Sequence, residues 1–262
     1  MNLAHLTMLT GAAVALIGMT GCDDSVVAPQ QGTYYSSTFT LGNGTARSFV
    51  KIDNAGNPTE VGLVMSEQAI NGLPGGDGHD DGHAHEHSID IPMPPQASKT
   101  PYDHIGLDWN PAGHPPGPYL LPHFDVHFYM MTRAERTAMT GTGNDSVRIV
   151  TPPDAKYIPT GYISTNEGVP QMGMHWVDPT SPELNGSTFT ETMIWGTYDG
   201  RIVFTEPMIT REFLLARPNV AKNLKLPVAY QKTGRYYPTT YHVRYDAGAK
   251  EYVVSLGGMT QR

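Results

Sequence analysis

The sequence predicts a mainly β protein: a single β-sandwich or barrel-like domain with a few short helices. Three observations carry that reading. The chain holds 28 Gly and 22 Pro among 262 residues, a composition that favours frequent turns over long helices. Apolar and polar residues alternate over short runs, most clearly in Pro122-His123-Phe124-Asp125-Val126-His127-Phe128-Tyr129, the period of a half-buried strand. Such runs recur at short spacing with turn signals between them, a pattern of sandwiches and barrels.

The N-terminus comes first. Residues 11–19 form an apolar stretch too short to anchor stably across a bilayer, running into Met19-Thr20-Gly21-Cys22. Small residues directly before the only cysteine resemble a bacterial lipoprotein signal. Residues 1–21 are therefore expected to be removed, and Cys22 to be lipidated and to tether an exported protein to the membrane from the periplasmic or cell-surface side. Met19 stands where such signals usually have Leu, and no Lys or Arg precedes it, so a plain cleaved signal is the alternative. With one cysteine there is no internal disulfide framework and no thiolate zinc cluster. Residues 22–31 read as a solvated tether.

The β-rich domain is expected over residues 32–262. Residues 34–41, 46–52 and 60–65 read as strands, with a turn at Asn54-Ala55-Gly56-Asn57-Pro58 and a short helical turn capped by Ser66. Residues 74–101 change character: 75–87 holds four histidines and no apolar side chain larger than alanine. Such a segment cannot offset its ordering entropy by burial and is expected to be a mobile insertion. A Pro/Gly-rich passage, 110–118, leads into the alternating strand at 123–129. Thr132-Arg133-Ala134-Glu135 is a capping box for a short helix. Residues 147–151, 162–165 and 171–178 are candidate strands. Asp199-Gly200 closes the clearest hairpin, 191–208; 209–217 reads as a brief helix, and 241–245 pairs with 251–256.

The formal net charge of −8 argues against a nucleic-acid partner, which would need a basic face. The chemistry-bearing residues are histidines and carboxylates in apolar strands. Residues two apart on a strand lie about 6.6 Å apart and residues four apart about 13 Å. His123 and His127 therefore cannot share one ion without a bulge, whereas either can act beside Asp125. With the Asp199-Gly200 turn as the loop, Glu191, Met193, Trp195 and Thr197 face Met208, Glu206, Phe204 and Ile202. Both acids then share an apolar face, where an unpaired carboxylate is costly; a one-residue slip would expose both instead. His175, in Met172-Gly173-Met174-His175-Trp176, reads as either a hydrogen-bonded core residue or a ligand.

Metal ligation by His127, His175 and Glu206, with His123 and Asp125 as ligands or supporting groups, is the leading expectation. Imidazoles with one or two carboxylates suit Zn²⁺ first, with Mn²⁺ or Fe²⁺ as alternatives. Asp125 and Glu191 are the candidates for a general base in a catalytic version. His79, His83, His85 and His87 form a second, weak metal-binding candidate, which would make the protein a metal-buffering lipoprotein, or an incidental polar insertion. His104, His114 and His242 read as loop or surface residues. The rival to a metal centre is a self-assembling envelope protein in which these polar groups pair with one another.

Five segments together resemble a known group: Gly62 to Pro74, His114 to Met130, Met172 to Trp176, Phe204 to Thr210 and the closing hairpin 241–256. The group comprises exported bacterial proteins catalogued as a domain of unknown function, some of them linked to the extracytoplasmic sigma-factor stress response. The resemblance implies a β-rich, homo-oligomeric exported protein and supplies no activity.

Overall fold

Runs of two to ten residues, each too short to bury a face alone, pair among the described residues into two large antiparallel sheets and one two-stranded ribbon. The computed structural model describes residues 1, 29–75, 88–114 and 117–262. The expected export signal, Cys22, most of the tether and the histidines at 79, 83, 85 and 87 lie outside them. In chain order the strands begin with β1 (Gly32–Tyr35), β2 (Phe39–Leu41), β3 (Gly44–Ile52) and β4 (Pro58–Ser66). Then come β5 (Ser88–Pro92), β6 (His104–Asn110) and β7 (His123–Tyr129), followed by helices α1 (Arg133–Thr137) and α2 (Asp145–Arg148). β8 (Ile163–Val169), β9 (Gly173–Val177), β10 (Glu191–Tyr198) and β11 (Arg201–Thr210) precede α3 (Arg211–Leu215). The chain closes with β12 (Asn219–Asn223), β13 (Tyr236–Tyr237), β14 (Thr240–Asp246), β15 (Glu251–Gly257) and β16 (Thr260–Gln261).

One sheet runs β1-β3-β4-β15-β14-β12, with β2 also on β3; the other runs β5-β6-β7-β11-β10-β9-β8. The main core mixes Val50, Leu63, Val243 and Val254 from the first sheet with Ile105, Leu107, Phe124, Val126 and Phe128 from the second. The result is a β-sandwich, as the turn-rich composition predicts. Its two outer faces differ in character. That of the first sheet carries a solvent-side ion-pair ladder, Arg47–Glu251 at 2.9 Å, Lys51–Glu60 at 2.6 Å and Arg244–Glu60 at 2.8 Å, of the kind that contributes little to stability. That of the second sheet is covered by the chain itself, through Tyr119 and Phe189 at one end and Met131, Met139, Ile149 and Met172 at the other.

Several elements depart from the sequence reading. The run 34–41 divides into β1 and β2, whose pairings on β3 (Tyr35↔Phe49, Phe39↔Ala46) differ by one residue. Residues 88–101 are no loop. Ser88-Ile89-Asp90-Ile91 alternates as a strand, and Ile91, Met93, Ala97 and Tyr102 are buried; the flanking prolines masked that signal. β6 was unexpected despite its own alternation, because it sits between two Pro-rich passages. Residues 147–151 begin in α2 instead of forming a strand, and 209–217 divides into the end of β11 and α3. The capping box at Thr132 is present, with Glu135 closing both of its hydrogen bonds.

The Asp199-Gly200 turn forms with both residues at positive φ, 51° and 71°, the geometry that two-residue hairpins favour. Its register corrects the expectation. Thr197 faces Ile202, but Gly196 faces Phe204, with a shift between Gly196 and Thr197. Beyond that bulge Ile194 pairs with Glu206 and Glu191 with Ile209. A bulge moves every later residue to the opposite face of the pairing, so Glu191 and Glu206 do not share a face. Glu191 turns into the inter-sheet core, where Lys222 Nζ and Tyr241 Oη donate hydrogen bonds to it.

Candidate metal centre

The outer face of the second sheet is a grid of polar side chains. β6 sets His104, Asp108 and Asn110 opposite Tyr129, Asp125 and His123 of β7. β11 pairs with β7 through Phe204↔Tyr129 and Met208↔Asp125, which brings Glu206 across from His127. β9 adds His175, opposite Gly196 of β10. On β7 the residues between these, Phe124, Val126 and Phe128, all enter the core. The alternation in the sequence thus chose the face. What it left open is that this face is dry: His123, Asp125, His127 and Glu206 are each at most 2% exposed.

Two groups of ligating atoms result, each with all donors within 4.8 Å of one another: His127, His175 and Glu206, and His114, His123 and Asp125. In the first, His127 Nε2 lies 3.5 Å from Glu206 Oε1, and His175 Nε2 lies 3.8 Å from Glu206 Oε2. Neither His127 Nε2 nor Glu206 Oε2 makes a hydrogen bond. Asp108 Oδ2 sits 3.0 Å from His127 Nδ1. A negative charge beside Nδ1 favours the tautomer that leaves the Nε2 lone pair facing Glu206, the carboxylate–imidazole arrangement of metal-binding histidines.

Distance discriminates here. A charge-assisted N–H···O bond measures about 2.7–2.9 Å. Two ligands of one tetrahedral ion, bound at about 2.0–2.2 Å, lie about 3.3–3.6 Å apart. The separations of 3.5 and 3.8 Å in the first group, each to a different oxygen of Glu206, are longer than a hydrogen bond and near such an edge.

Small residues make the convergence possible. A Cβ at Gly196 would stand 2.1 Å from the Phe204 ring, so only glycine lets that ring lie flat on β10. Phe204 in turn packs edge-on against His127 with centroids 4.8 Å apart, and against His175 at 5.5 Å. A Cβ at Gly106 would meet Tyr129 at 2.8 Å; the Tyr129 ring stacks on His127 and His104 at 5.3 and 4.9 Å. Arg136 closes the grid's edge, its Nη1 bonded to Asp90 Oδ1 at 2.5 Å and its guanidinium over Tyr129.

Their surroundings drive the two central carboxyls in opposite directions. It raises the Glu206 carboxyl well above its usual value, and the charges of Asp125 and Asp108 add to the effect. Burial would also raise Asp125, but the His123 and His114 rings outweigh it and hold that carboxyl well below the usual range. Asn110 Nδ2 also donates to Asp125 Oδ2 at 2.8 Å. A buried carboxyl that resists ionisation lacks a positive partner; at Glu206 a bound cation would supply it.

The structure thus brings together His127, His175 and Glu206, and His123 with Asp125. It does not bring in Glu191, which lies on the opposite face. Three contributors were missed. His114, expected at the surface, reaches Asp125 Oδ2 at 3.6 Å. His104, expected in a loop, is buried, and burial lowers its imidazole despite the neighbouring Asp103 and Asp90. Asp108 joins from β6, where His104-Ile105-Gly106-Leu107-Asp108-Trp109-Asn110 alternates just as 123–129 does. That pattern was the available signal. His242 lies on β14, in the other sheet. A cavity of about 250 Å³ lies among Met130, Trp195, Tyr230 and Lys232, and none of the grouped ligands lines it.

Residues 53–109 match the model of an uncharacterised family described as TTHB210-like, hypothetical protein TTHB210. That segment runs from the turn before β4 through β6, and so includes Asp108 but none of the six grouped ligands. No curated protein and no solved structure gives a significant match.

Proposed function

We propose that this protein is an exported metal-binding β-sandwich whose second sheet holds a divalent transition metal through His127, His175 and Glu206. The observation that supports it most directly is the pair of buried, hydrogen-bond-free atoms His127 Nε2 and Glu206 Oε2, in a group with His175 whose donors lie within 4.8 Å of one another. Two neutral imidazoles and one carboxylate form a donor set suited to Zn²⁺, with Mn²⁺ and Fe²⁺ as alternatives. Three protein ligands leave a coordination position for water or another ligand. Asp108 would orient His127 from behind, and Asp125 is the general-base candidate on the same face.

Metal content of purified full-length protein is the test. Because His79, His83, His85 and His87 are themselves a metal-binding candidate, the measurement belongs in a background with all four replaced by Ser. Stoichiometric metal that falls by one ion per chain in Glu206→Gln and His175→Ala supports the reading; unchanged content in both overturns it. Export and tethering rest on residues 11–22. Loss of lipid labelling and membrane association in Cys22→Ser is the expected result, and an unlabelled wild-type protein would overturn the tether.

The second reading is a metal-free scaffold of imidazolium–carboxylate pairs that assembles as a homo-oligomer. The observation that favours it is the 3.1 Å approach of His123 Nε2 to Asp125 Oδ1, short enough for an ion pair. The two readings separate on chelation, which destabilises a metalloprotein and leaves an ion-paired scaffold unchanged.

A further inference from the structure

We propose that the same sheet face holds a second divalent transition-metal ion, bound by His114, His123 and Asp125. The inference goes beyond the single-ion reading and stands on different atoms. His123 Nδ1 lies 2.7 Å from the carbonyl oxygen of Leu121, and a carbonyl only accepts, so the ring's proton resides on Nδ1. In the neutral ring Nε2 then carries a lone pair. Nε2 faces Asp125 Oδ1 at 3.1 Å, both atoms buried: an imidazolium would pair with that oxygen, whereas the neutral ring leaves no proton between the two atoms. Two electron-rich atoms held face to face in a dry interior call for a positive centre between them.

The third donor comes from outside the strand. His114 Nε2 lies 3.6 Å from Asp125 Oδ2, and its ring packs edge-on against His123 with centroids 4.9 Å apart. One donor atom from each of the three residues lies within 4.8 Å of the others, close enough to converge on one ion with a small shift of side chains. Asn110 fixes Asp125 Oδ2 and Leu121 fixes the His123 ring, the supporting contacts that orient ligands. His114 is 28% exposed, so this group opens toward solvent on one side and a fourth position can be filled from there. Two imidazoles and a carboxylate select zinc-like ions over calcium or magnesium.

Asp125 and His127 stand one side-chain repeat apart, about 6.6 Å. The two groups share no ligand, so the two ions are separate centres and not the bridged pair of two-metal hydrolases.

The test is zinc stoichiometry by elemental analysis, after loading and dialysis, of full-length protein with the four loop histidines replaced by Ser. Two ions per chain are expected. His114→Ala, at a partly exposed position that spares folding, and Asp125→Asn should each leave one ion, and His175→Ala should leave the other. Cobalt substitution gives a second readout, with two visible-band titration phases in the parent and one in each variant. Two ions retained in both His114→Ala and Asp125→Asn would overturn the assignment. So would a single ion that only His175→Ala removes, an outcome that leaves the first site standing. A single ion removed by His114→Ala but not by His175→Ala would support this site and overturn the first.

Discussion

Glu206→Gln separates a metal ligand from a structural acid, because the two roles predict opposite signs. The substitution keeps the shape of the side chain and removes its charge. In the metal-loaded protein it deletes one of three ligands. A ligand-bound native state gains RT ln(1 + [L]/Kd), about 4.1 kcal/mol at a thousand-fold excess over Kd. For a domain of this size each kcal/mol shifts Tm by about 2–4 °C. The chelator-induced drop in Tm should therefore be about 8–16 °C smaller in the variant than in the parent. In the metal-free protein the sign reverses. Glu206 is 2% exposed, and burial with repulsion from Asp125 and Asp108 disfavours its charge, so a neutral amide there should melt at the same temperature as the chelated parent or above it. Differential scanning calorimetry with and without chelator, at one protein concentration, reads both. A variant that keeps the parent's metal increment, or whose chelated form melts several degrees below the chelated parent, would refute the reasoning. It would show instead that Glu206 works as an ion-pair partner of His127 and His175.

Four further outcomes follow from the same geometry. Asp108→Asn removes the charge 3.0 Å from His127 Nδ1 and should weaken metal binding by about 10–100-fold, read by chelator competition. Glu191→Gln should leave metal content unchanged while costing about 1–2 kcal/mol of stability by denaturant titration, since it weakens the bonds from Tyr241 and Lys222 in the core; a loss of metal would contradict its placement on the opposite face. Gly196→Ala sets a Cβ against the Phe204 ring and should cost about 1–3 kcal/mol by overpacking, with a parallel loss of metal affinity because that ring packs on His127 and His175. In metal-free protein the Glu206 contribution has a definite sign with pH. Its carboxyl is raised in the folded state, so the folded state holds the proton more tightly than the unfolded one. Stability from this group is fully present below the ordinary carboxyl value of 4.5 and declines as pH rises through the folded value. Denaturant titrations across pH should show that decline in the parent and not in Glu206→Gln.

Much of this site was legible in residues 122–129. A strand that alternates His, Asp, His and Tyr with Phe, Val and Phe must put one set into a core, and the structure puts Phe124, Val126 and Phe128 there. His175 and Glu206 were recognisable because each stands among apolar neighbours where a solvated polar residue has no place. His114 was not recognisable, since it sits in a Pro/Gly-rich passage whose path no periodicity encodes. His104 and Asp108 were legible in principle from the alternation of 104–110, but β6 sits between Pro-rich segments whose composition hides it.

The sequence by itself determined the β class, the two-residue turn at Asp199-Gly200, and which face of β7 carries the imidazoles. These are local properties, set by side-chain period and by backbone dihedrals that single residues dictate. Only the tertiary structure decided the rest. The bulge between Gly196 and Thr197 sent Glu191 into the inter-sheet core and Glu206 to the histidines, because one extra residue inverts the facing of all that follow. The cover over the second sheet, from Tyr119 and Phe189 to Met139 and Met172, turned an outer face into a dry one. Which polar atoms then stand 3–4 Å apart without a hydrogen bond depends on four strands and a loop meeting. No single stretch of sequence holds that information.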